Sequence, residues 1–201
     1  NAIKGNEKIL IYGDYDVDGT TAVAMVYSFF KEYHQNISYY IPDRHTEGYG
    51  ISFKSIDYAK ENNIQLIIAL DCGIKAIKEV IYAKDKGIDY IICDHHLPGE
   101  TIPNGIVLNP KQKECPYPFK ELSGAGVGFK LLQAFCKQNN INIQKANKHL
   151  DLLAVSIGAD MVPLIEENRV LAQHGIEKLN KEPTIGIKAI LNNAKINHSI
   201  N

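Results

Sequence analysis

Much that would mark this chain out is missing from it. The 201 residues carry 22 Lys+Arg against 23 Asp+Glu, a formal net charge of −1, so no basic excess offers an electrostatic footprint for nucleic acid. The longest strongly apolar run, around Leu66 to Leu70, is far too short to span a bilayer. No basic-then-apolar segment opens the chain, so neither secretion nor a membrane role finds support. Cysteine is sparse and scattered: Cys72, Cys93, Cys115 and Cys136 form no C-x-x-C and no Cys/His zinc pattern. Reduced, buried thiols are the expectation, and with them a reducing, cytoplasmic setting. There is no G-x-x-x-x-G-K-[ST] phosphate loop, no evident Ser-His-Asp arrangement, no internal repeat and no low-complexity tract. What remains is ordinary globular material. At 45% hydrophobic and 22% charged, the chain has enough apolar side chains for a sizeable core.

Its first half alternates short apolar runs with helical patterns. Strands are expected at Lys8 to Tyr12, Ile37 to Ile41, Gln65 to Leu70, Ile88 to Cys93 and, more briefly, Ile106 to Leu108. Between them, helical spacing runs over Thr20 to Tyr33, Phe53 to Asn62 and Ile74 to Lys86, the last closed by Gly87. This succession predicts an α/β fold: a mainly parallel, doubly wound sheet with helices on both faces. Leu97 to Leu122 is rich in Pro and Gly and long enough to suggest a functional loop. Helices then dominate: Val127 to Gln138, Ile143 to Ile157, Glu166 to Leu179 and Ile185 to Asn192.

Acidic residues gather where strands end. The first expected strand runs into Asp14-Tyr15-Asp16-Val17-Asp18-Gly19, the third into Asp71-Cys72-Gly73 and the fourth into Asp94-His95-His96. In a doubly wound sheet these ends share one edge, where ligands bind. Asp160 is a plausible fourth contributor. Singly, each aspartate reads as well as a turn former or helix cap. Together they need cations, because two carboxylates about 4 Å apart repel by about 4 kcal/mol at an effective dielectric near 20. Oxygen ligands with one or two imidazoles and no thiolate suit Mn²⁺ or Mg²⁺, and histidine tilts the choice to Mn²⁺. One bridging aspartate could join two ions in a site for phosphoryl transfer by an activated water.

These motifs, with Gly158-Ala159-Asp160-Met161-Val162-Pro163, resemble the four successive motifs of the DHH phosphoesterase superfamily. Within it the chain is most similar to the RecJ-like single-strand-specific exonucleases, through Arg44-His45-Thr46-Glu47-Gly48-Tyr49-Gly50, Asn109-Pro110 with Cys115-Pro116-Tyr117, and Leu122-Ser123-Gly124-Ala125-Gly126-Val127-Gly128. The likeness covers about Ile9 to Leu164. It implies that Asp14, Asp16, Asp18, Asp71, His95 and Asp160 hold two ions, Mn²⁺ or Mg²⁺, with Asp71 as bridge. It implies further that His96 touches the scissile phosphate or its leaving group, that Asp94 orients an imidazole, and that Arg44 clamps phosphate. Ser123, Gly124 and Gly126 could offer backbone N–H groups to a substrate phosphate at a helix start, or serve close helix packing. Tyr49 is read as a core or hinge residue in preference to a base-stacking one.

The resemblance makes the expected activity hydrolysis of single-stranded DNA from its 5′ end, with a single-strand-binding protein or a helicase as expected partners and no membrane. The alternatives are a DHH phosphodiesterase for short oligonucleotides or cyclic dinucleotides, a pyrophosphatase, and a non-catalytic scaffold in replication or repair. One departure is large. The Gly-Gly-Gly-His signature of the family's second domain, DHHA1, is absent, so residues 3–180 are expected to form the catalytic domain and 181–201 the start of a connector. On that view the basic surface for DNA lies largely in the second domain.

Overall fold

The computed structural model describes residues 1–200. Five strands, β1 (Ile9–Gly13), β2 (Ile37–Tyr40), β3 (Leu66–Leu70), β4 (Asp89–Cys93) and β5 (Ile106–Leu108), form one sheet in the order β2-β1-β3-β4-β5. Every pairing is parallel. The helices are α1 (Val17–Lys31), α2 (Phe53–Glu61), α3 (Ile77–Asp85), α4 (Gly124–Gln138), α5 (Gln144–Asn147), α6 (Leu150–Ala159), α7 (Glu166–Lys181) and α8 (Ile185–Asn193).

Strand periodicity of two explains why β1 and β3 read as unbroken apolar runs. Ile9, Ile11, Ile68 and Leu70 face one side, packing with Val26 and Phe29 of α1 and Phe129 and Leu132 of α4. Leu10, Tyr12, Ile67 and Ala69 face the other, against Ile56 and Ala59 of α2 and Val80 and Ala83 of α3. The sheet is thus buried on both faces. α6 packs on α1 and α4, and α7 packs on α6.

From β1 the chain crosses to β2 on one side and then to β3 on the other. The crevice between the carboxyl ends of β1 and β3 is therefore the topological switch point, where open α/β sheets take their ligands.

Several element ends differ from expectation, each for a local reason. α1 begins at Val17, before Thr20, because Asp16 caps it by accepting from the Gly19 N–H at 2.8 Å. Asp18 is consequently a first-turn residue. α3 begins at Ile77 and not Ile74, since the Ile74 N–H is held by Asp94 at 2.8 Å. α4 begins at Gly124, capped by Ser123, so the glycines after Ser123 lie inside the helix. The helix expected over Ile143 to Ile157 is two, separated at Lys148 and a buried His149. The long 97–122 connection contains β5, and just after it the Asn109 amide donates to the His96 carbonyl at 2.9 Å.

Candidate metal centre

Three strand ends and one helix end supply the site. Asp71 follows β3 directly, with its N–H donated to the Cys93 carbonyl at 2.8 Å and φ at +58°. A left-handed backbone is uncommon for a residue with a side chain, and here it belongs to a buried carboxylate. Its Oδ1 has no hydrogen-bond partner. A Cβ on Gly124 would come within 2.4 Å of that oxygen, so only glycine fits there.

His95, after β4, is also buried, and both of its ring nitrogens lack hydrogen-bond partners. Its Nε2 lies 3.3 Å from Asp71 Oδ1, 3.6 Å from Asp160 Oδ2 and 3.9 Å from Asp18 Oδ2. Two donor sets result, with ligand atoms within 4.8 Å of one another: Asp71, His95 and His96, and Asp18, His95 and Asp160. They share His95. Buried polar atoms without partners are costly unless something satisfies them. Carboxylate oxygens and imidazole nitrogens converging in this way fit a divalent cation, and the donor chemistry suits Mn²⁺ or Mg²⁺.

Titration points the same way. Burial, then the charges of Asp18 and Asp16, push the Asp71 carboxyl up to about 10. Burial followed by the Asp18 charge raises Asp160 as well, and burial raises Asp14. A divalent ion is the local charge that would reverse these shifts.

Asp94 behaves differently. Burial works to raise its carboxyl, but hydrogen bonds from the His96 ring, the Ile74 N–H and the His96 N–H outweigh it and hold the group below the usual range. Its Oδ1 faces His96 Nδ1 at 2.7 Å and accepts the His95 and His96 N–H groups at 2.7 and 3.1 Å. It is the anchor of the His-His pair, and its hydrogen bond is the main cause raising His96.

The remaining sequence-predicted residues are placed as follows. Among the described residues, neither donor set includes Asp14 or Asp16. Asp14 is buried, with Oδ1 accepting the Tyr15 N–H at 2.8 Å and Oδ2 unpartnered. Asp16 is exposed and caps α1, although its charge still reaches Asp71. Asp18 has a second task. Its carboxylate accepts from the Gly124 and Ala125 N–H groups at 2.6 and 2.8 Å and from the Ser156 hydroxyl at 2.7 Å. Ser123, Gly124 and Gly126 are therefore buried scaffold here. The N–H groups that would have met a phosphate are taken by Asp18 and the Ser123 hydroxyl, which is the packing alternative. Arg44 is exposed, with its guanidinium carbon 5.4 Å from the Tyr15 ring centroid at the mouth of the site. Tyr49 is 58% exposed, which removes the core reading.

Sequence reasoning missed Ser156 and Asn109 as supports. Ser156 lies four residues before Asp160 on α6, a helical spacing that could have placed both on the site's side.

The family model for the N-terminal domain of the DHH family matches residues 8–157. The chain belongs to the DHH family. Among curated DHH-type relatives, the single-stranded-DNA-specific exonuclease RecJ of Bacillus subtilis (strain 168) is 42% identical over 191 residues, covering 94% of this chain and 24% of that protein. The RecJ of Escherichia coli (strain K12) is 36% identical over 203 residues, covering 95% and 35%. Among solved structures, exonuclease RecJ bound to manganese superposes with a TM-score of 0.88 at 30% identity, covering 98% of this chain and 50% of that one. RecJ from Thermus thermophilus in complex with Mn²⁺ gives 0.81 at 27% identity, covering 96% and 27%. The chain thus spans only about a quarter to a third of the length of these curated relatives.

Proposed function

We propose that this chain is the metal-dependent phosphodiesterase domain of a nuclease that hydrolyses single-stranded DNA from its 5′ end. The observation that carries the reading is the pair of buried, unpartnered donors, Asp71 Oδ1 and His95 Nε2, 3.3 Å apart at the switch point of the sheet. Asp18, Asp71, His95 and Asp160 would hold the ions, two in number, with Asp14 and Asp16 as further ligands. Bound Mn²⁺ or Mg²⁺ supplies Lewis acidity toward a phosphoryl oxygen and activates the attacking water. The chain's own residues do the rest. His96, fixed by Asp94, faces the scissile phosphate or its leaving oxygen. Arg44 at the mouth clamps a neighbouring phosphate, a task its planar fork suits. The buried walls around Asp71 and His95 keep water few and charges strong.

The names of the RecJ relatives supply the substrate class, and a role in DNA repair or recombination is part of the proposal. Four free cysteines, three of them buried, agree with a reducing, cytoplasmic setting. A single-strand-binding protein or a helicase is the proposed partner.

Calorimetric titration with Mn²⁺ is expected to show binding that Asp71→Ala abolishes. Single-stranded oligonucleotides labelled at one end or the other are expected to lose a 5′ label first, only with metal present. Activity confined to dinucleotides would replace the exonuclease reading with the short-substrate one. Metal binding without any hydrolysis would leave the scaffold.

A further inference from the structure

The turn that delivers Asp160 is held by a side chain outside the site. Asp160 closes α6, its N–H donated to the Ser156 carbonyl at 2.9 Å, and Met161 follows with φ at +53°. A left-handed residue at this point ends the helix and turns the chain away from its axis. Little of the turn is buried: Met161 is 87% exposed, Val162 rests on the core, and residues 163–166 are exposed. Among the described residues, 161–164 take part in one hydrogen bond, in which the Pro163 carbonyl accepts from the Asn168 amide at 3.1 Å.

Asn168 lies in the first turn of α7 and is fully buried. Its Nδ2 donates twice, to the Pro163 carbonyl and, at 2.6 Å, to the Glu121 carbonyl, while Oδ1 has no partner. Two carbonyls facing one atom fix the amide's orientation, because an oxygen turned toward them could donate to neither. A buried, unpartnered amide oxygen is a cost, yet the site calls for an amide: aspartate of the same shape offers no donor when ionised, and serine offers one hydrogen. Glu121 lies two residues before Ser123, the cap of α4, whose first N–H groups hold Asp18. One amide thus joins the turn beyond Asp160 to the approach to the Asp18 anchor. Beside it, Glu167 accepts from the Tyr117 hydroxyl and from the Lys130 ammonium of α4, so the first turn of α7 is docked independently of Asn168.

We propose that Asn168 is a positioning residue for Asp160. By bridging the Glu121 and Pro163 carbonyls it sets the turn after α6 against the start of α4. It thereby fixes the spacing of the donor set in which Asp160 Oδ2 and Asp18 Oδ2 lie 3.6 and 3.9 Å from His95 Nε2. Asp18 is fastened directly, its carboxylate accepting three hydrogen bonds. Asp160 depends on the backbone that carries it, and Asn168 is the polar group that holds that backbone. The inference rests on the reading of these residues as metal ligands given under Proposed function.

The test compares Asn168→Ala and Asn168→Ser with Glu167→Gln, which weakens the neighbouring clasp of the same helical turn and leaves the Asn168 bridge in place. Urea denaturation of each metal-free protein defines conditions in which it is fully folded, and Mn²⁺ is titrated calorimetrically under those conditions. Asn168→Ala is expected to weaken Mn²⁺ binding about 10- to 100-fold, the usual effect of losing a group that orients a metal ligand. Asn168→Ser, with one donor kept, is expected to lose less, and Glu167→Gln to bind within about twofold of wild type while losing stability. A purely structural role would leave the affinity of folded molecules unchanged. Wild-type affinity in folded Asn168→Ala, or an equal loss in Glu167→Gln, would overturn the inference alone. If Asn168→Ala does not fold, Asn168→Ser decides by the same criterion. A wild-type protein that binds no Mn²⁺ would overturn the metal reading, and the inference with it.

Discussion

At the scale of single residues, Asp71 combines three costs. Its backbone is left-handed, worth about 1–2 kcal/mol against a residue with a Cβ. Its carboxyl is buried with one oxygen unpartnered, worth about 1–3 kcal/mol. Its presence also obliges Gly124 to stay a glycine. Glycine at 71 would relieve the first two costs and lose only about 0.5–1 kcal/mol in chain entropy. Asp71→Gly is therefore expected to raise the melting temperature of metal-free protein while eliminating Mn²⁺ binding, and paired melting curves and calorimetry check both halves. A lower melting temperature would mean that Asp71 finds compensation in the fold. Asp71 also sets a pH dependence. Its folded-state carboxyl is raised to about 10, so its contribution to stability is fully present below about pH 4 and is lost as the pH rises toward 10. His149 runs opposite, pushed down to about 4 by burial and then by Lys148, so its contribution is present above about pH 6.5 and lost as the pH falls toward 4. Above pH 7 only the Asp71 effect operates between these two. Denaturation of metal-free protein at pH 7 and pH 9 is expected to show a decline that Asp71→Asn abolishes.

At the scale of elements, the joint that matters is the start of α4. Asp18 on α1 receives two N–H groups of α4 and the Ser156 hydroxyl of α6, so one carboxylate fastens three helices at the positive end of a dipole. Asp160, only partly buried at the end of α6, carries no such load. The two aspartates should therefore separate in experiment. Asp18→Ala is expected to cost about 3–5 kcal/mol in urea denaturation, because it strands buried donors, and to lose metal. Asp160→Ala is expected to lose metal with nearly unchanged stability; equal destabilisation by both would refute the distinction. This joint was also where the sequence was least legible. Ser123, Gly124 and Gly126 look alike locally whether their N–H groups face a phosphate or a carboxylate, since the carboxylate lies 106 residues away. The start of α1 was missed for a smaller reason, that Asp16 can be read as a ligand or as a cap, and as a cap it moves the helix three residues earlier.

At the scale of the whole molecule, the strands and their parallel arrangement were legible because runs such as Leu66 to Leu70 are buried on both faces and alternate with helical patterns. The convergence of Asp18, Asp71 and His95 was legible as well, because strand ends of a parallel sheet share an edge, whereas Asp160, at the end of α6, was drawn in by the motif resemblance. Tyr49 was not, as a glycine-flanked loop tip carries no periodicity. If the converging donors take a divalent ion, the entire fold feels it. Saturating Mn²⁺ at a hundred times its dissociation constant is expected to stabilise the protein by about 2.7 kcal/mol, read as a rise in melting temperature that a chelator reverses. The site is also remote from itself in sequence. Asp18 is bonded to groups 106 and 138 residues further on, and Asp160 comes later still. A chain emerging from the ribosome therefore has most of its sheet before it has a site. Until α6 is made, Asp18 lacks Ser156 and the donor set lacks Asp160, so the last ligand arrives only after every strand of the sheet has been synthesised.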